Sequence, residues 1–138
     1  MRRALILTLA LGLLSLAGSS SASAASTKLF HSPSGNIACA IGGNFGARCD
    51  IGRRDWTARP KPASCKLDWG NGLEVGPKGR GRYTCAGDTL LGSGTTLQYG
   101  HAVKRGRYRC VSYTVGVRCV NRRTGHGFKI SRQRAKRF

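Results

Sequence analysis

The sequence predicts an all-β fold: a small antiparallel barrel or sandwich, built of hairpins and stapled by disulfides. Three observations carry this. Short apolar stretches alternate with turn residues, and no long helical period runs through the chain. Glycine is frequent, with 20 among 138 residues. The six cysteines, at 39, 49, 65, 85, 110 and 119, are even in number and follow an export signature, which reads as a disulfide framework. Zinc would want close Cys-x-x-Cys pairs, and the shortest gap here is nine residues, from Cys110 to Cys119. No metal site and no cofactor are therefore expected.

The export signature comes first. Met1-Arg2-Arg3 is positive, Ala4 to Ala17 is apolar and Leu-rich, and Gly18 to Ala25 is small throughout. Ala22-Ser23-Ala24 has the small-x-small form of a cleavage site. The apolar core has 14 positions, short of the roughly 20 a membrane span requires. Residues 1–24 are expected to be a signal peptide, and 25–138 a single cysteine-rich basic domain, secreted or held at the cell envelope. No cysteine marks a lipid anchor, two arginines alone do not specify an export route, and no later segment could span a membrane.

Within 25–138, Ser32-Pro33-Ser34-Gly35 is a turn. Asn36 to Ile41 and Ala47 to Ile51 alternate around a loop centred on Asn44. Folding this as a hairpin faces Ile37 with Ile51, Cys39 with Cys49 and Ile41 with Ala47, and predicts the bridge Cys39–Cys49. Residues 52–64 are irregular, since Pro60 and Pro62 exclude a central strand; Trp56 is expected to fold back onto the core. Cys65 to Val75 reads as a second hairpin around Gly70-Asn71-Gly72. It would pair Trp69 with Leu73 and Leu67 with Val75, and set Asp68 opposite Glu74.

Two echoes follow. Gly81-Arg82-Tyr83-Thr84-Cys85 recurs as Gly106-Arg107-Tyr108-Arg109-Cys110, read as strands with Tyr and Cys inward and Arg outward. Gly46-Ala47-Arg48-Cys49 recurs as Gly116-Val117-Arg118-Cys119. They record either a duplicated strand unit or shared hairpin chemistry. Between the first pair, Asp88 to Gly100 reads as a turn and one strand carrying Leu97 and Tyr99. Cys110 and Cys119 flank a further hairpin and are paired by analogy, which leaves Cys65–Cys85. The last ten residues hold five cations, with Ile130, Arg134 and Phe138 at helical spacing. They read as either a short C-terminal helix or a frayed basic tail.

Taken together, the runs Phe30 to Cys39 (FHSPSGNIAC), Arg48 to Ile51 (RCDI), Asp68 to Gly72 (DWGNG), Gly87-Asp88-Thr89, Gln98-Tyr99-Gly100 and Gly125 to Arg132 (GHGFKISR) resemble an uncharacterised family of small exported cysteine-rich proteins from actinobacteria. The resemblance implies export and a cysteine-rich domain. It carries over no activity and no site.

Charge points to the class of partner. The whole chain has 24 Lys and Arg against five acids, a net +19. Removing residues 1–24 takes Arg2 and Arg3, which leaves 22 cations, five acids and a net +17 over 114 residues. Such a field attracts an anionic polymer: a wall polymer, nucleic acid or an anionic lipid surface. Arg105, Arg107 and Arg109 at strand period two would form a cationic edge, with Arg82 nearby if the Gly-Arg-Tyr strands pair. Tyr99, Tyr113 or Trp56 could add stacking. The alternative of a solvated face that blocks edge aggregation fits the same residues.

The leading expectation is thus a non-enzymatic binding module. A small secreted hydrolase acting on glycan or RNA is the alternative. Asp68 and Glu74 would be its acid and nucleophile, or His126, set between two glycines, its acid–base group; His31 and His101 stand in plainer settings. A protein-partner module, such as a secreted inhibitor, is the third class.

Overall fold

The computed structural model describes residues 26–138; the expected signal peptide lies outside the described residues. Two sheets pack face to face. The first contains β1 (Lys28–His31), β2 (Ile37–Gly42), β3 (Gly46–Ile51), β4 (Trp69–Val75), β5 (Arg82–Cys85) and β6 (Thr95–Thr96), in the order β5-β4-β3-β2-β1-β6. The second contains β7 (Ala102–Arg105), β8 (Tyr108–Tyr113), β9 (Gly116–Asn121), β10 (Gly127–Ile130) and β11 (Ala135–Arg137), in the order β11-β10-β9-β8-β7. Every pairing is antiparallel except that of β1 with β6. The architecture is an all-β sandwich. Among the described residues no helix is long and apolar enough to cross a membrane.

The two sheets are copies of one plan, since β1–β5 and β7–β11 are each a five-stranded meander. Cys39 faces Cys49 across β2 and β3, and Cys110 faces Cys119 across β8 and β9. Both bridges have Cα–Cα distances of 4.1 Å. Ala47, Arg48, Cys49 and Asp50 pair with Val75, Glu74, Leu73 and Gly72; Val117, Arg118, Cys119 and Val120 pair with Ile130, Lys129, Phe128 and Gly127. Position for position these registers correspond. Even the steric demands match: a Cβ on Gly46 would lie 2.0 Å from the Val75 carbonyl oxygen, and one on Gly116 would lie 2.1 Å from that of Ile130. Only glycine fits there, and both adopt positive φ, 120° and 118°. Of the two sequence echoes, Gly-x-Arg-Cys therefore marks a structural duplication. Gly-Arg-Tyr-x-Cys does not, because its first copy forms the fifth strand of one meander and its second copy the second strand of the other.

Alternation supplies the core. Ile37, Cys39, Ile41, Cys49, Ile51, Leu73 and Val75 meet Tyr108, Cys110, Val117, Cys119, Phe128 and Ile130 between the sheets. The Cys49 and Cys119 sulfurs are 3.8 Å apart, so the two bridges stack at the centre. The third bridge, Cys65–Cys85, ties the irregular segment before β4 to β5. All three pairings follow the sequence expectation. Trp56 folds back as expected, donating its indole N–H to the Ser131 carbonyl at 2.8 Å.

Several expectations are corrected. Gly70-Asn71-Gly72 is not a hairpin loop but a bulged stretch inside β4, with Gly70 at φ 78°. The fully buried Leu73 and Val75 pair with Cys49 and Ala47, whereas Leu67, which the hairpin needed inward, stays exposed. Tyr83 is buried as expected, but Cys85 is exposed. The C-terminal segment forms no helix. Ser131 accepts the Arg134 N–H at its side chain, the turn reverses, and β11 pairs with β10. The strand expected at Leu97 and Tyr99 forms one step earlier, at Thr95–Thr96.

A cationic sheet face as the candidate functional site

The outer faces of the two sheets differ. On the first, Ala38, Ala40 and Asp50 point away from the core yet are buried. The segment 86–96 arches over them. Arg48 grips Asp50 at 3.0 and 2.7 Å and Asp88 at 2.9 Å, while the Asp50 carboxylate accepts the Leu90 N–H at 3.0 Å. Burial works against the Arg48 charge, but its hydrogen bonds to Asp50 and Asp88 outweigh this and hold the guanidinium above its ordinary pKa. The same hydrogen bond from Arg48 holds the Asp88 carboxyl below the usual aspartate range. The charged row across this face reads Arg48, Glu74, Arg82, with Arg82 on Glu74 at 2.6 Å, so every neighbour is of opposite sign.

On the second sheet the equivalent row reads Arg118, Lys129, Lys136. The acid at its centre is replaced by lysine. Adjacent strands lie about 4.8 Å apart, so three cations stand in file at that interval. Lys104 and Arg109 form another directly opposed cationic pair on the same face. Like charges directly opposite are destabilising, and no carboxylate relieves them: residues 101–138 contain 12 Lys and Arg and no Asp or Glu. Across residues 26–138, 22 cations meet five acids, and only Arg48, Arg82 and Arg132 approach a carboxylate within ion-pair distance. Aromatic rings border the face. The Lys129 ammonium lies 5.5 Å from the Tyr113 ring and the Arg118 guanidinium 4.9 Å from that of Phe138.

The expected arginine edge is not assembled. Gly106, at φ 55°, and Arg107 form a two-residue turn between β7 and β8, so Arg105, Arg107 and Arg109 do not share one strand face. Arg105 turns to the core side beside Tyr108, with a buried Nε lacking a partner and an Nη1 on the Lys104 carbonyl at 2.7 Å. Arg109 alone of the three joins the outer face. Arg82 belongs to the other sheet and is held by Glu74. Arg107 instead joins Arg122 and Arg123 around a groove of about 400 Å³ at one end of the sandwich.

The acid–base candidates are likewise dispersed. Asp68 precedes β4 and Glu74 lies near its far end; their partners along β5, Ala86 and Arg82, are four residues apart, which sets the two acids about 13 Å apart at 3.3 Å per residue. Glycosidase carboxylates stand about 5–9.5 Å apart. The His126 backbone shapes the β9–β10 turn, accepting the Asn121 N–H at 2.8 Å and donating to Thr124 Oγ1 at 3.2 Å. Its sheet holds no carboxylate to orient the ring. His31 Nδ1 lies 2.9 Å from the Ser32 carbonyl, and His101 is exposed. Among the described residues, no three His, Cys, Asp or Glu side chains gather as a metal site would require.

The sequence signal for this row was alternation. Arg118, Lys129 and Lys136 each sit between inward-facing residues. Aligning them requires the β9–β10–β11 register, which a C-terminal helix would have removed.

A second groove, of about 240 Å³, lies at the opposite end. Ser32, Ser34, Asn36, Tyr99, Ser131 and Arg132 line it, drawing together three of the runs on which the family resemblance rests. No curated protein and no solved structure matches the chain. A family model described as a family of unknown function (DUF6636) matches residues 9–138, nearly the whole sequence, and the chain belongs to that family.

Proposed function

We propose that this is an exported, non-enzymatic module that binds an anionic polymer across the outer face of its second sheet. One observation carries the reading. Where the first sheet alternates Arg48, Glu74 and Arg82, the second aligns Arg118, Lys129 and Lys136 with no counter-charge. The first sheet holds an acid, Glu74, at the equivalent central position. Placing a lysine there costs stability in the free protein, and a bound polyanion offsets that cost. Support for export comes from the signal-like residues 1–24, from three disulfides suited to an oxidising compartment, and from the resemblance to exported actinobacterial proteins.

The test is retention of purified residues 25–138 on isolated cell envelopes and on DNA-cellulose across a salt series. Binding that falls steeply with salt on a log–log plot, and falls further in a variant with Arg118, Lys129 and Lys136 changed to Gln, is expected. Equal retention of that variant and the parent protein would remove the proposed surface.

A further inference from the structure

We infer that the groove between the β1–β2 loop and the β8–β9 turn is a sugar-ring subsite, and that the polymer bound by the cationic face is an anionic glycan. The inference rests on the polyanion reading above. It starts from the groove's furnishing. Of the seven large hydrophobic residues exposed on the described surface, Tyr99, Tyr113 and Val115 border this one depression. Sugar rings present apolar C–H faces that pack on aromatic rings, and hydroxyl edges that hydrogen-bond to polar side chains. Ser34 and Gln133 supply polar groups at the rim. At about 240 Å³ the groove falls below the roughly 300 Å³ of drug-sized sites, so it suits a single ring rather than a chain segment.

Acid recognition is built in as well. Arg53 projects from a backbone clamped by one side chain: its N–H donates to Asn36 Oδ1 at 2.7 Å, and its carbonyl accepts Asn36 Nδ2 at 3.0 Å. The guanidinium itself meets no carboxylate in the described residues. Arg132, across the groove, reaches Asp55 only at 3.4 Å on the surface. A planar guanidinium fork suits a carboxylate, and a held backbone limits the ordering cost of binding.

The internal duplication provides a control. The groove at the other end is the counterpart of this one: Arg122 N–H donates to the Arg107 carbonyl at 2.8 Å, as Gly52 N–H does to that of Asn36 at 2.9 Å. Its lining of arginines, glycines and Asn44 includes no aromatic residue, and the exposed Phe45 of the same turn borders a different depression. Of these two grooves, only this one is lined by aromatic rings. The groove is also contiguous with the cation row, because Tyr113 lies under Lys129, the row's central residue. Cations repeating about every 4.8 Å across strands match a polymer bearing one charge per extended sugar residue.

The test measures affinities of residues 25–138 for an oligogalacturonide, its methyl-esterified neutral form and an oligothymidine of equal charge, at about 50 and 200 mM salt. Tyr99→Ala and Arg53→Gln should each weaken the oligogalacturonide about tenfold at both salts, the scale of one lost stacking or charged contact. Both should leave oligothymidine unchanged, and the esterified chain should bind far more weakly than the acid. Groove variants that leave the glycan affinity intact, or weaken oligothymidine equally, would overturn the sugar subsite while sparing the cationic face. If neither polyanion binds the parent protein at low salt, the polyanion reading fails and this inference falls with it. Both substituted side chains are exposed and the Asn36 clamp uses backbone atoms, so loss of fold is not expected; circular dichroism checks it.

Discussion

Lys129→Glu gives the second sheet the charge order of the first. Each like-charged cross-strand pair costs, and each opposite pair contributes, about 0.2–1 kcal/mol. The substitution converts two pairs at once, those with Arg118 and Lys136. It also loses the ammonium over the Tyr113 ring, worth about 0.5–1 kcal/mol at an exposed site. The net expectation is a gain in stability of about 1 kcal/mol, or a rise in Tm of about 3–5 °C for a domain of this size. Binding should move the other way. Removing one cation and adding one repelling anion should make the log–log salt slope shallower by about 1 and weaken polyanion binding at least about tenfold at low salt. Lys129→Gln should fall between parent and Lys129→Glu on both axes. Thermal unfolding and a salt-dependent polyanion titration read the two quantities. A Lys129→Glu protein that is no more stable than the parent, or that binds polyanions equally well, would refute the argument from charge order.

Three further outcomes follow from the fold. Asp50→Asn leaves the half-buried Arg48 with only the exposed Asp88; breaking a buried pair of this kind costs about 3 kcal/mol. Hydrogen exchange should rise at Leu90 and along 86–96, and unchanged protection there would show that the Arg48–Asp50 pair does not anchor the segment. Gly46→Ala and Gly116→Ala should destabilise by similar amounts, about 2–3 kcal/mol from backbone strain and the clash with a carbonyl. Gly79→Ala, whose Cβ meets nothing, should cost less, and a cost equal to theirs in denaturant unfolding would contradict the steric account. Because Arg48 lowers the pKa of Asp88, that contact is complete above the unfolded value of about 3.9 and is lost as pH falls through the lower folded value. An NMR titration should find the Asp88 carboxyl ionising below the ordinary range; a midpoint at or above it would deny the contact.

How legible this was depended on whether a feature was local. The hairpin joining Cys39 to Cys49 could be read because eleven alternating residues, six before the loop and five after it, admit one register. Its duplicate at Cys110 and Cys119 followed by analogy. The span Cys65 to Val75 misled because Gly70-Asn71-Gly72 satisfies a turn locally, while the deciding partner, β3, lies some twenty residues earlier. The stripe from Arg105 to Arg109 misled for the converse reason: Gly106 turned the chain where period-two spacing implied a continuous strand. Local alternation turns each cation of the row outward but does not align them. Arg118, Lys129 and Lys136 become neighbours only through two strand pairings, and their meaning comes from the Arg48, Glu74 and Arg82 row they duplicate.

The most direct measurement is an amide and side-chain NMR titration of residues 25–138 with an oligogalacturonide at low salt. The account predicts shifts concentrated at Arg118, Lys129 and Lys136 and extending to Tyr113, with Arg48, Glu74 and Arg82 unmoved. Shifts spread evenly over both sheets, or centred on the first, would contradict it.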